Sequence, residues 1–500
     1  MDVKEEKKIQ DRKENIKNWL KNPHNLALVG IVIFAFLIRL YYFIQTSGQT
    51  LWWDEAEYGS TAKNWALGTP YDYNPQRPPL FQFIWSLLIS SGLQENAIKF
   101  FITVIPAVFL VFTIYLLGRE MFSKEIGLIA AFLSSVSWTL VFWASRIQPD
   151  FISMSFQVLS IFFMWKHWKK TSAKFVFLAA FFAGLGFYFK VSALLVPMIF
   201  IVFLLIKERF GAFTNKHNYY FAFIFLLTLA PYFIWSQLTF DNPLGFRVGY
   251  VDAPTDFPIG WYNLRFYHFL TEGLLFILFI VGVLLAFRFL LYFDLMIKEK
   301  QRCFDPKLFS LISLAFISVF YIFYIRNTDD RWVFLWLPFI FYIIGLAVMF
   351  VYEFLKKYKR TIAIIISVGL IAFSGYEQLT HANSLIDLKK DSYMPVKLGG
   401  EWIKENSEIN DKLLSISYTQ SVYYSERNVS TYATIKNNSE FDNYLDGNKP
   451  RFLQVSMFEP HPPWVNDWIN KNGEKLRPVQ AYFADAEKKQ PVLIIYEINY

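Results

Sequence analysis

The 500-residue chain has a single cysteine, Cys303, and only 18% of its residues are charged. One cysteine excludes an intramolecular disulfide and any metal site built on several thiolates. The six histidines fall at no metal-ligand spacing, so a histidine-built zinc centre has no sequence basis. Internal repeats and low-complexity runs are also missing, which argues against a solenoid or a disordered linker. A soluble domain carries charge on about a quarter of its residues, more than this chain does. A cleavable leader is not expected. Residues 1–21 are highly charged, and the apolar block that follows is long enough to span and lacks a small-residue cleavage site.

What the chain does have is apolar and aromatic residues: 54% hydrophobic, 20% aromatic, 55 of them Phe, with a mean hydropathy of +0.29. They are gathered in blocks of about 17–25 residues, the length that crosses a hydrocarbon core of roughly 30 Å. The expected fold class is therefore a polytopic α-helical membrane protein with a small α/β C-terminal soluble domain. About eleven spans are expected, near 26–45, 97–117, 126–144, 151–165, 175–189, 191–206, 219–238, 271–287, 309–325, 333–351 and 362–380. This divides the chain into a tail at 1–25, a transmembrane domain at 26–380 with long loops at 46–96 and 239–270, and a soluble domain at 381–500.

Lysine and arginine set the orientation. The N-terminal tail and the loops on its side hold 25 of them, against 8 in the short loops opposite. Positive residues favour the cytoplasm, so the N-terminus is expected inside and, with an odd span count, the C-terminal domain outside. The expected location is the plasma membrane, multi-pass. The net charge of +8 is explained by these loops rather than by nucleic acid. Within loop 46–96, residues 55–67 read as an amphipathic helix with Tyr58, Ala62 and Trp65 on one face. Residues 79–91 read as an interfacial helix, too short to cross. In the tail, 412–417, 452–457 and 492–498 read as strands, and 397–405 and 464–472 as helices.

Ionisable residues gather at helix ends on the expected outer side: Asp54, Glu55, Arg77, Arg146, Asp150, Lys190, Asp329, Asp330 and Arg331. Charge at a membrane border is costly to desolvate and often marks a site. A transporter places such groups near the midplane; an enzyme working on a lipid headgroup places them at one interface. Each residue also has a structural reading. Asp54 with Glu57, and Asp150 after Pro149, are spaced to cap helices. Arg77, and Arg39 in the first span, fit snorkelling to headgroups. Lys190 fits a simple turn marker, and His461 in His-Pro-Pro-Trp a surface loop.

The run Trp-Asp-Glu-Ala-Glu-Tyr at 53–58, followed by Arg-Pro-Pro-Leu at 77–80, resembles the first external loop of GT-C membrane glycosyltransferases. These are the enzymes of the protein O-mannosyltransferase and lipid A aminoarabinose transferase type. The resemblance extends to Ser-Arg-Ile-Gln-Pro-Asp at 145–150, to Gly-Leu-Gly-Phe-Tyr-Phe-Lys at 184–190 with Pro197 beyond, and to Asp-Arg-Trp at 330–332 with Pro338. It covers about residues 25–350. It implies transfer of a sugar from a polyprenyl-phosphate donor (dolichyl or undecaprenyl) to an acceptor hydroxyl on protein, lipid or glycan, with inversion at the anomeric carbon. Asp54 is then the expected base, with Asp150 and Glu55 as further catalytic candidates. Arg77, Lys190 and Arg331 are expected on the donor phosphate, and Tyr58, Arg146 and Asp330 as substrate contacts. No cofactor and no metal site are expected, although two carboxylates with a divalent ion would also neutralise a phosphate. The alternative reading is a flippase or transporter for the same polyprenyl-linked sugar.

Overall fold

The computed structural model describes residues 17–247, 273–288, 304–325, 330–484 and 487–500, together with Glu5 and Glu14. Asp329, Cys303, most of the 239–270 loop and most of the N-terminal tail lie outside these residues.

In chain order the helices are α1 (Pro23–Gln45), α2 (Trp53–Leu67), α3 (Leu80–Ser90), α4 (Glu95–Met121), α5 (Lys124–Val136), α6 (Trp138–Trp143), α7 (Asp150–Lys170), α8 (Ala173–Phe187), α9 (Leu195–Glu208), α10 (Lys216–Phe240), α11 (Leu274–Phe287), α12 (Asp305–Val319), α13 (Trp336–Lys356) and α14 (Arg360–Lys389). Seven helices among the described residues are long and apolar enough to cross a membrane: those containing α1, α4, α9, α10, α12, α13 and α14. The helices α8 and α11 are apolar but shorter. Helix α7 is long, but it buries Ser153, Ser155, Gln157 and Ser160, so its composition is less apolar than its position. Close approach substitutes for side-chain bulk where helices cross. A Cβ on Gly184 would sit 2.6 Å from Thr228 Cγ2, and one on Gly282 would collide with the Ile343 carbonyl, so α8 meets α10 and α11 meets α13 at short range.

The expected span at 126–144 is broken at Ser137, between α5 and α6. A broken helix strands backbone groups that a bilayer does not hydrate. Arg39 answers this: it is buried, and it donates to the carbonyls of Ser134 (3.0 Å) and Ser135 (2.9 Å). On the other side of the break, Gln378 Oε1 accepts from the Trp138 amide at 3.0 Å. Arg39 is thus a strut inside the bundle, and the snorkelling expectation fails because its head is committed to another helix.

Helix α2 also departs from its expected form. Glu55 through Ala62 are all buried, while Trp65 is 38% exposed. One amphipathic stripe is absent because α2 is covered from more than one direction, by α3 and by the C-terminal domain.

That domain begins later than residue 381, because α14 runs on to Lys389 and buries Ala382 and Ile386. It comprises α15 (Met394–Glu405), β1 (Lys412–Ser415), α16 (Tyr418–Ser425), β2 (Asn428–Ser430), α17 (Asn438–Asn448), β3 (Phe452–Ser456), α18 (Trp464–Lys471), β4 (Leu476–Phe483) and β5 (Pro491–Ile498). The sheet order is β2-β1-β3-β5-β4. Strand β1 pairs in parallel with β2 and β3, and β5 pairs antiparallel with β3 and β4. Leu413 and Leu414 alternate into two cores, one with Val396, Val429 and Ile495, the other with Tyr432, Phe441 and Trp468. Successive residues of β1 therefore pack on opposite faces of the sheet, as the period of two requires.

Candidate functional site

The site forms where α2, the 68–79 loop, the start of α7 and the segment before α13 meet at one end of the bundle. At the start of α2, Glu55 Oε2 reaches back and accepts from the Trp52 amide at 2.7 Å, the half of a capping box that a glutamate at the third position supplies. The cap role expected of Asp54 thus belongs to Glu55, and Asp54 is left to face the cations. Arg77 Nη2 lies 2.7 Å from Asp54 Oδ1 and 2.8 Å from Glu57 Oε2, with Nε 3.0 Å from the same Glu57 oxygen. Arg77 Nη1 reaches the Tyr58 hydroxyl at 3.4 Å. Arg331 Nη2 takes the other Asp54 oxygen at 2.9 Å, and its guanidinium lies over the Trp143 ring at 4.5 Å. Lys190 donates to Asp150.

The two groups of ion pairs are neighbours. The hydroxyl of Tyr58 is within electrostatic reach of Asp54, Glu57 and Asp150, and the Leu80 amide donates to the Tyr188 carbonyl at 3.3 Å, joining the 77–80 turn to the end of α8. Asp54, Glu57 and Asp150 are matched by Arg77, Arg331 and Lys190.

Burial pushes the Asp54 carboxyl up, but the guanidinium groups of Arg77 and Arg331 outweigh it and hold the group below the usual carboxylate range. For Arg77, burial favours the neutral form, and Tyr58, Asp54 and Glu57 together more than reverse it. Burial raises the Tyr58 hydroxyl well above its ordinary value. Asp54 and Arg77 are therefore held in their ionised forms around neutral pH, and a bound anion has to compete with carboxylates for the arginines.

Of the expected residues, Asp54, Arg77, Arg331, Tyr58, Asp150 and Lys190 come together. Glu55 and Arg146 do not join them. Each is 1% exposed. Glu55 accepts from the amides of Trp52 and Ile147 (2.7 and 2.5 Å), and Arg146 donates to the carbonyls of Thr50 and Lys389 and stacks over Trp52 at 3.8 Å. Burial raises the Glu55 carboxyl despite Arg146 and these amides. The pair ties the turn before α2 to the turn before α7 and holds Asp54 from behind. Asp330 accepts from Thr139 Oγ1 (2.9 Å) and Trp143 Nε1 (2.8 Å), which aims the neighbouring Arg331. Glu57 was read from sequence only as half of a cap; its Arg77 contact carries no local signal, because the partners are twenty residues apart on different elements. Among the described residues no three His, Cys, Asp or Glu side chains converge as a metal ion would need.

The C-terminal domain closes over this helix. Leu51 donates to the Tyr424 hydroxyl at 2.8 Å, Lys63 pairs with Glu426 at 2.8 Å, and Lys397 donates to the Gly48 carbonyl at 2.8 Å.

This arrangement, a helical bundle with a charged loop at one end and an α/β domain docked on it, has counterparts among solved structures. Residues 76–235 match the family described as dolichyl-phosphate-mannose-protein mannosyltransferase. The fold matches ArnT from Cupriavidus metallidurans in the apo state, with TM-score 0.66 and 13% identity over 93% of this chain and 98% of that one. It also matches the same ArnT bound to undecaprenyl phosphate, at TM-score 0.59 and 12% identity over 93% and 97%. A further match is the archaeal oligosaccharyltransferase AglB from Archaeoglobus fulgidus in complex with an inhibitory peptide and a dolichol-phosphate, at TM-score 0.64 and 14% identity over 88% and 70%. No curated protein matches the sequence. The likeness to known proteins thus holds in sequence over residues 76–235, from the end of the first long loop into α10, and in fold over nearly the whole chain.

Proposed function

We propose that the chain is an inverting glycosyltransferase that moves a sugar from a polyprenyl-phosphate donor to an acceptor hydroxyl at the outer membrane face. The observation that carries this reading is Asp54 held between Arg77 and Arg331: a carboxylate beside two planar cations suited to phosphate. The acceptor hydroxyl attacks the anomeric carbon. Its proton goes to Asp54, and the bond from the anomeric carbon to the phosphate oxygen breaks with its electron pair leaving on polyprenyl phosphate. Arg77, Arg331 and Lys190 stabilise that leaving charge. A donor phosphate that draws the guanidinium groups towards itself also relaxes their hold on Asp54, so the carboxylate becomes a stronger base when the donor is bound. Asp150 positions Lys190. The expected partners are a polyprenyl-phosphate sugar, an acceptor protein, lipid or glycan, and membrane lipid. The chemistry calls for no cofactor.

The test is direct. Purified protein is given polyprenyl-phosphate sugars, and release of free polyprenyl phosphate is followed with and without chelator. Acceptor-dependent release supports the proposal, and movement of intact donor across a vesicle membrane without release supports a flippase. The orientation is tested in a Cys303→Ser background with single cysteines replacing Lys4 or Glu401. Labelling of both from one side overturns the placement of the N-terminus in the cytoplasm and the C-terminal domain outside.

A further inference from the structure

The C-terminal domain carries a second polar cluster that the transfer chemistry does not use. Chain order reverses about β1: α16 leads from β1 to β2 on one side, and α17 leads back to β3 on the other. In open α/β sheets the crevice beyond the carboxyl ends of such strands is where ligands bind. Here the carboxyl end of β1 supplies Ser417, and that of β3 supplies Ser456, Glu459 and His461. Both serine hydroxyls donate to Glu459 Oε2. Glu459 Oε1 is buried with no donor. The imidazole of His461 is held from both sides: Nε2 donates to the Ser456 carbonyl, and Nδ1 lies 3.1 Å from the Tyr432 hydroxyl, which also reaches the Gln454 carbonyl. The cluster is thus built around one carboxylate with an unfilled acceptor. Burial pushes that carboxyl up in spite of the two serines, so the domain bears a cost to keep it.

Aromatic rings flank the cluster, with Tyr393 against Phe458 at 5.1 Å and Tyr71 near Tyr418 at 6.3 Å. They also join it to the first site. Tyr418 lies within electrostatic reach of Asp72 and Glu57, and Glu57 grips Arg77.

We propose that the carboxyl ends of β1 and β3 form the acceptor subsite, and that it takes a neutral saccharide: Glu459 Oε1 accepts a sugar hydroxyl, and the ring pairs Tyr418–Tyr71 and Tyr393–Phe458 border the sugar. It rests on the glycosyltransferase reading and names the acceptor class for it. A sugar offers hydroxyl donors at its rim and apolar C–H faces, which matches a lone acceptor oxygen between aromatic rings. An acidic acceptor would meet Glu459, Asp72 and Glu57 together.

The test uses the full-length protein in detergent on an array of neutral mannose-, glucose- and galactose-based oligosaccharides beside an array of serine- and threonine-containing peptides. The expected result is binding to a subset of the oligosaccharides, weakened about tenfold by Glu459→Gln through loss of a charged hydrogen bond. Tyr418→Ala should weaken it similarly and Tyr418→Phe should not. Capture of peptides alone, no oligosaccharide bound, or unchanged binding by both Glu459→Gln and Tyr418→Ala would each overturn the proposal. Binding of polyprenyl phosphate is measured on the same samples. If the wild type fails there, the glycosyltransferase reading fails. If it binds there and fails only on the array, the acceptor subsite alone is wrong.

Discussion

Arg77 and Asp54 are joined by a 2.7 Å contact between Nη2 and Oδ1, and the same nitrogen lies 2.8 Å from Glu57. One guanidinium therefore serves two carboxylates, which a lysine ammonium on a flexible stem does poorly. Arg77→Ala should lose donor affinity on the scale of a broken desolvated ion pair, about 2–5 kcal/mol. Arg77→Lys should recover only part of it. Titration of polyprenyl phosphate against the three proteins checks the order; equal affinities would remove Arg77 from the phosphate site.

The Arg331–Asp54 contact predicts a pH effect. In the free enzyme Asp54 titrates below the usual range because, against its burial, two cations favour its ionised form. Removing one of them disfavours ionisation, so its pKa must rise. The acid limb of the kcat/KM profile, which reports the free enzyme, should lie below the ordinary carboxylate value in the wild type. It should move to higher pH in Arg331→Gln. A limb that stays in place would mean that Asp54 is not the group it reports.

Much of the membrane part is legible in the sequence because apolar length is a local property. The two loop helices, at 53–67 and 80–90, also follow from local runs of apolar and helix-forming residues. What escapes is whatever depends on distant partners. Ser137 breaks a span that reads as continuous, and the break is tolerated because Arg39 and Gln378 satisfy it from α1 and α14. The short β2 is too brief to announce itself, and β4 contains Pro478 at a register shift. In the site, the charged residues could be gathered from their common side of the membrane. Which carboxylate meets which cation could not, because nothing local marks Glu57 as the partner of Arg77 or Glu55 as the partner of Arg146 behind the turn.

Gly59 predicts how the domains are joined. A Cβ there would stand 2.6 Å from the Tyr423 ring, which packs on α2 from the C-terminal domain. Gly59→Ala should overpack this seam and cost roughly 1–3 kcal/mol, while trimming the ring with Tyr423→Leu should relieve it. A double-mutant cycle on thermal unfolding measures the coupling. Additive effects would show that the seam is looser than the geometry implies.

Asp54→Asn separates the base from the counterion. The substitution keeps the size of the side chain, and the start of α2 is capped by Glu55, so the helix has no reason to unravel. It removes one negative charge from a group in which Asp54, Glu57 and Asp150 balance Arg77, Arg331 and Lys190. The remaining excess of positive charge favours an anionic phosphate, so polyprenyl phosphate should bind as well as before or more tightly. If Asp54 only positions the two arginines, turnover should stay within a few-fold, with any change in KM. If it takes the acceptor proton, turnover should fall about 10²–10⁴-fold while donor binding is kept. A folded Asn variant with near-normal kcat would overturn the assignment and pass the role to Glu57 or Asp150. Both of those carboxylates are bound to a cation of the same cluster, so the same split of kcat from donor affinity would decide between them.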